Sequence, residues 1–157
     1  MKKLFLVALL ALGLAGYSQN QPKCDSVSLK TAEDVKNSEP CVLKAAEYVI
    51  GQPVQGSTDL TKKYNAFILV WMEKAEYTFS LNDKMTDLFK DDNIFLFGTY
   101  MACLSKAAIQ LKKNFDTEAI KLLVEYINNP ANKVKQTSKI KQLVKDYNDK
   151  KLDKYLK

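Results

Sequence analysis

The side chains here that could do chemistry form a short set. They are Cys24, Cys41 and Cys103; Glu73 and Glu76 beside Trp71 and Tyr77; the neighbours Ser105 and Lys106; the run Asp91-Asp92-Asn93; and a large population of lysines. Two residue types are missing from all 157 positions: there is no histidine and no arginine. The 24 basic residues are therefore all lysine, set against 18 acids, for a formal net charge of +6. Without histidine there is no Ser-His or Cys-His dyad and no imidazole metal ligand. Without arginine the planar fork that grips phosphate or guanine in two places is gone, so nucleic acid is a poor partner.

The three cysteines contain no CxxC pair, which removes the zinc-knuckle and dithiol spacings. In an oxidising compartment Cys24 and Cys41 are the first choice for a disulfide, with Cys41–Cys103 the alternative. The first pairing closes a loop of about 16 residues, for which chain entropy gives about 3 kcal/mol. Cys103 lies between Ala102 and Leu104 in an apolar segment with no His or Arg beside it, so it reads as a small core hydrophobe. Glu73 and Glu76 read as a solvated helix face with Lys74 between them, because a sugar-cleaving pair flanks its substrate from different elements. If they were a hydrolase pair, both would border a concave pocket. Ser105 and Lys106 diverge by about 100° on a helix and cannot form a dyad with each other. Asp91-Asp92-Asn93 lacks the alternating ligands of a calcium loop and reads as a helix cap. These readings leave no catalytic residue, no metal site and no cofactor.

The lysines are unevenly placed. Residues 133–157 hold nine Lys and three Asp, a net of +6, whereas residues 19–132 carry a net of −2. Lys139, Lys141, Lys145, Lys150, Lys151 and Lys154 accompany the apolar stripe Ile140, Leu143, Val144 and Tyr147. A basic amphipathic helix of this kind can lie on anionic lipid or lipopolysaccharide. The competing reading is a terminal helix that packs its stripe on the body and leaves a polar outer face.

The elements that position these groups follow from periodicity. Lys2 and Lys3, the uncharged run Leu4 to Leu14, and Gly16 with Ser18 predict a signal peptide over 1–18, cleaved before Gln19. The apolar run is too short to span a bilayer as a helix, which takes about 20 residues, so no transmembrane segment is expected in the mature chain. Tyr17 stands where a lipoprotein signal would need Cys. The expected product is therefore periplasmic or secreted and not a lipoprotein. Residues 19–38 read as a flexible polar leader with one helical turn at Thr31–Asp34, whose spacing is that of a capping box.

Residues 39–157 read as a single all-α domain of five or six helices ending in the basic helix 133–157. Pro40 opens the first helix, with Val42, Ala45, Ala46 and Val49 on one face. Ser57, Thr58 or Asp59 caps the second, whose apolar run Phe67–Met72 marks it as the central helix. A bend and short helix follow over 78–92. Asn93 then precedes a long helix through Phe97, Tyr100, Leu104 and Ala108, and Asp116 or Thr117 caps the next. Thr137 or Ser138 opens the tail helix, with a last turn at Leu152 and Leu156. Trp71, Phe67, Phe97 and Tyr100 are assigned to packing. CVLKAAEYV at 41–49 echoes AIKLLVEYI at 119–127, each followed by a proline and a threonine, which predicts antiparallel helical hairpins in a bundle or short solenoid-like stack.

Across KAAEYVIGQPV, AFILVWMEKAEYTFSL, YMACLSKAAI and AIKLLVEYINNP the chain resembles a family of short, exported, all-helical proteins of Gram-negative bacteria with no assigned activity. The resemblance implies location and fold and supplies no site. The functional expectation is a non-enzymatic exported domain that presents a surface or groove to a protein partner. The alternative is an envelope-associated binder of anionic lipid or lipopolysaccharide through the lysine-rich tail.

Overall fold

A computed structural model describes residues 24, 26–56, 58–90 and 93–156. The expected signal segment and its cleavage point lie outside the described residues, as do Asp91 and Asp92. Among the described residues there are eight α-helices and no strand: α1 Ala32–Asn37, α2 Glu39–Ile50, α3 Asp59–Lys74, α4 Asp83–Leu88, α5 Leu96–Leu111, α6 Asp116–Asn128, α7 Ser138–Asn148 and α8 Asp153–Leu156. The class is as expected and the helix count is higher, because two very short helices, α1 and α8, form where the sequence predicts only single turns.

The centre of the molecule is α5, not α3. Leu96, Tyr100, Met101, Ala102, Cys103, Leu104, Ala107 and Ala108 are all buried, and α5 packs on α2, α3 and α6. Its many small residues, facing Ala45 and Ala46 of α2 and Ala119 of α6, let three helices come close, and dense packing of this kind carries most of the stability of helices this short. α3 is instead one-sided. It buries Tyr64, Ile68 and Trp71 but leaves Leu69 and Val70 40% and 43% exposed, so the run Phe67–Met72 corrects to an outer helix with two unburied apolar residues. Where α5 passes α3, a Cβ on Gly98 would lie 2.5 Å from Asn65 Nδ2, so any larger residue there would force the Asn65 amide to move.

Helix starts follow side-chain chemistry where a cap exists. Thr58, Asn82 and Thr137 accept from the amides of Thr61, Met85 and Ile140, which satisfies donors that a helix leaves unpaired. α5 and α6 follow Phe95 and Phe115 without a side-chain cap. This corrects the reading of Asn93 and Asp116 or Thr117. Asn93 is buried and its Nδ2 donates to the Lys135 carbonyl at 3.2 Å, tying the α5 entry to the α6–α7 connection. The two echoing segments do share a local plan. α2 and α6 are each followed by a 3-10 turn, Val54–Gly56 and Pro130–Asn132, and then by a threonine-capped helix.

Part of the expected leader is firmly built. Thr31 and Asp34 form the capping box of α1, Val35 is buried in the core cluster, and Cys24 and Cys41 are paired as a disulfide with Cα atoms 5.9 Å apart. Cys103 is the free, fully buried thiol.

Candidate functional site

A pocket of about 380 Å³ opens where three segments distant in sequence meet: α1, the end of α3 with residues 75–77, and Lys112 just past α5. Each wall has a local cause. α1 supplies Val35 and Lys36. α3 stops at Lys74 because Ala75 turns to extended backbone (φ −71°, ψ 153°). Tyr77 and Phe79 then pack with Trp71 and Phe115, with ring centroids 5.6 to 6.1 Å apart. α5 ends with Lys112 in the left-handed region (φ 64°), which swings its side chain toward the pocket mouth.

At that mouth sits a carboxylate, a phenol and an ammonium. Tyr77 Oη donates to Glu39 Oε1 at 2.6 Å, Lys112 Nζ donates to Glu39 Oε2 at 2.6 Å, and the same ammonium donates to Tyr77 Oη at 2.8 Å. Lys112 Nζ also lies 5.5 Å from the centre of the Tyr77 ring. Burial pushes the Glu39 carboxyl up, but the Lys112 and Tyr77 hydrogen bonds outweigh it and hold the group below the ordinary carboxylate range. Burial and the bond to Glu39 push the Tyr77 phenol up. Burial opposes the charge on Lys112, and the bonds to Glu39 and Tyr77 overcome it, raising the ammonium. All three groups are moved away from neutrality, so the cluster holds fixed charge and does not trade protons near pH 7.

Donors and acceptors in the pocket are unequal. Both Glu39 oxygens are engaged by the triad. One of the three Lys112 donors lies beyond its two bonds. Lys74 Nζ uses one donor on the Leu29 carbonyl at 3.0 Å, and no bond or ion pair of the Lys36 ammonium occurs among the described residues. Glu76 is the second lining carboxylate. Three ammonium groups against two carboxylates, one of them already consumed, leave donors over for an acceptor-rich guest.

The residues singled out from sequence fare differently. Glu73 and Glu76 do not share a helix face, since α3 ends between them. Glu76 lines the pocket, and Glu73 is exposed and is not part of its lining. Ser105 is fully buried and Lys106 pairs with Glu47 at 3.2 Å. The Cys103 thiol is pushed well up by burial, as a core hydrophobe would be. Trp71 and Tyr100 are buried and Phe67 and Phe97 pack against the core, as assigned.

The basic tail is partly self-satisfied. Lys139 pairs with Asp87 of α4 at 3.1 Å, Lys145 and Lys151 reach Asp149, and Lys154 reaches Asp146. Lys141 and Lys150 are exposed, with no such partner among the described residues. Ile140 and Leu143 are fully buried against the body and Val144 and Tyr147 pack on it, so the stripe is not offered to a membrane. The tail is held by Asp146, which accepts from Tyr155 Oη and Gln142 Nε2 at 2.9 Å each and pairs with Lys154.

Among the described residues no cluster of three or more Cys, Asp or Glu side chains could hold a metal, and no helix is long and apolar enough to cross a membrane. Compared with known proteins, the chain matches no protein family, no curated protein and no solved structure.

Proposed function

We propose that this chain is a non-enzymatic helical interaction domain, exported after cleavage near Ser18-Gln19. Its Glu39–Tyr77–Lys112 pocket receives an acidic group of a protein partner. One observation carries the reading: the pocket is concave, walled by three distant segments, and has more lysine donors than acceptors while its one buried-side carboxylate is already spoken for. Its size falls within the range of about 300–1,000 Å³ typical of binding pockets. The Glu39–Lys112 and Glu47–Lys106 pairs run in reversed order along α2 and the C-terminal half of α5, which supports antiparallel packing of these two helices. The repeated helix, 3-10 turn and threonine-capped helix supports two related hairpins.

The lysine-rich tail is the second reading. It rests on Lys141 and Lys150, and it is weakened by the stripe's burial, since a surface helix needs apolar area as well as charge to bind a bilayer firmly. Fluorescence anisotropy of a labelled all-glutamate octapeptide separates the two. The pocket reading expects binding that drops about tenfold in Lys36→Gln/Lys74→Gln, is unchanged in Lys141→Gln/Lys150→Gln, and weakens with salt as exposed charge pairs do. The opposite pattern of losses would transfer the function to the tail.

A further inference from the structure

The pocket has one wall unlike the others. Residues 26–37 reach it as a strap that crosses the end of α3 and supplies Ala32, Val35 and Lys36 to the lining. Beneath the strap lies Trp71, the chain's single tryptophan, with no exposed surface. The strap is fastened at few points. Trp71 Nε1 donates to the Val35 carbonyl at 3.2 Å and Lys74 Nζ to the Leu29 carbonyl at 3.0 Å, and Val35 and Leu29 pack on the core. At its start the Cys24–Cys41 disulfide ties it to the first turn of α2. At its far end Ser38 Oγ donates to the Val35 carbonyl at 2.6 Å where α1 leads into α2, and Ser28, Lys30 and Thr31 bond internally to Asp34.

A six-residue helix does not persist alone, because isolated helices shorter than about 12–15 residues are marginal in water. α1 therefore stays folded only while docked, and docking depends on the tether that limits how far its start can wander. α1 packs on α2 and α3, and the larger α2–α5 and α5–α6 contacts of the core are made without it.

We propose that the strap is a redox-released cover. Opening the Cys24–Cys41 bond frees residues 26–37 from the end of α3, uncovers Trp71 and widens the pocket of the proposed interaction site. A dithiol donor supplies two electrons and two protons. The disulfide becomes the two thiols of Cys24 and Cys41, and the donor closes into its own disulfide. Cys41 is partly exposed and within reach, whereas Cys103 is sealed in the core and takes no part. The regulatory meaning rests on the pocket reading, but the motion does not.

The single tryptophan reports the motion directly. Acrylamide quenching of Trp71 emission is measured on the oxidised protein, on the protein opened with dithiothreitol, and on Cys24→Ser/Cys41→Ser, with far-UV circular dichroism alongside. The expected result is a quenching constant raised by about threefold or more in both opened forms, with emission shifted to the red and helical signal lost only to the extent that α1 contributes, the pattern of local opening. Unchanged quenching in both opened forms overturns the proposal. So does a joint collapse of quenching protection and helical signal, which would make the disulfide a staple of the whole fold. Octapeptide anisotropy on the oxidised sample bears on the pocket reading alone, since Lys36 leaves with the strap in the opened forms; a strap that opens in a protein whose oxidised form does not bind the peptide would remove that reading and leave the cover standing.

Discussion

The same three groups are assembled twice in this molecule, in opposite settings. At the pocket, Glu39 accepts from Tyr77 and Lys112; in the tail, Asp146 accepts from Tyr155 and Lys154, and each ammonium also lies over its tyrosine ring, at 5.5 and 5.4 Å. The tail triad spans nine residues and its carboxylate side chain is 5% exposed; the pocket triad joins residues 35 to 73 positions apart, and its lysine side chain is 54% exposed. Identical chemistry thus serves two ends. A local triad with a nearly sealed carboxylate, 5% exposed against 20% for Glu39, fastens α8 to α7. A half-open triad at a concave rim fixes the shape and charge of a surface that something else can touch.

The largest effect expected from this contrast is on stability. Asp146→Ala leaves the buried Tyr155 hydroxyl without its acceptor, while Gln142 and Lys154 can turn to solvent, and should cost about 2 kcal/mol in urea denaturation. Glu39→Ala removes the same kind of group at an open site and should cost about 1 kcal/mol. Equal losses would erase the distinction between the two triads.

A pH profile sharpens it further. Burial raises the Asp146 carboxyl, but its bonds to Lys154, Tyr155 and Gln142 outweigh that and hold it low; Glu39 is likewise held low. A carboxylate depressed in the folded state contributes stability that is present above its ordinary pKa of about 4 and is lost as pH falls through the folded value. Urea midpoints followed from pH 6 downward should therefore fall below about pH 4 in the wild type. That acid slope should flatten more in Asp146→Asn than in Glu39→Gln. A slope untouched by Asp146→Asn would mean that the tail carboxylate is not the acid-sensitive fastening.

The smallest effect concerns the exposed lysines. Lys141→Gln/Lys150→Gln and Lys36→Gln should each leave stability within about 0.5 kcal/mol, as surface changes away from partners do. The two sites then differ only in what they bind.

Much of the scaffold was legible in the sequence. The 3.6-residue stripes of α2 and α7, the threonine caps at Thr58 and Thr137, the Thr31–Asp34 box and the Cys24–Cys41 pairing are local or near-local signals, and short-range physics decides them. The central helix was misread because hydropathy favours FILVWM, whereas the middle of a small bundle needs narrow residues on several sides, which the Ala, Cys and Gly of α5 provide. The end of α3 carries no Gly or Pro at 73–76, so nothing local marked the break that parts Glu73 from Glu76. The break arises because Tyr77 and Phe79 gain ring contacts with Trp71 and Phe115 in an extended run. The Glu39–Tyr77–Lys112 pocket depends on contacts across 35 to 73 positions, which no periodicity encodes. The tail triad was hidden by the left-handed turn at Lys150, which folds Tyr155 back onto Asp146.

The most direct test is a map of backbone amide shifts in the oxidised protein as the all-glutamate octapeptide is added. The perturbed amides should gather at Val35, Lys36, Ala75, Glu76, Tyr77 and Lys112, with those of 139–151 undisturbed. Shifts gathered on 139–151 instead, or none at saturating peptide, would contradict the pocket reading.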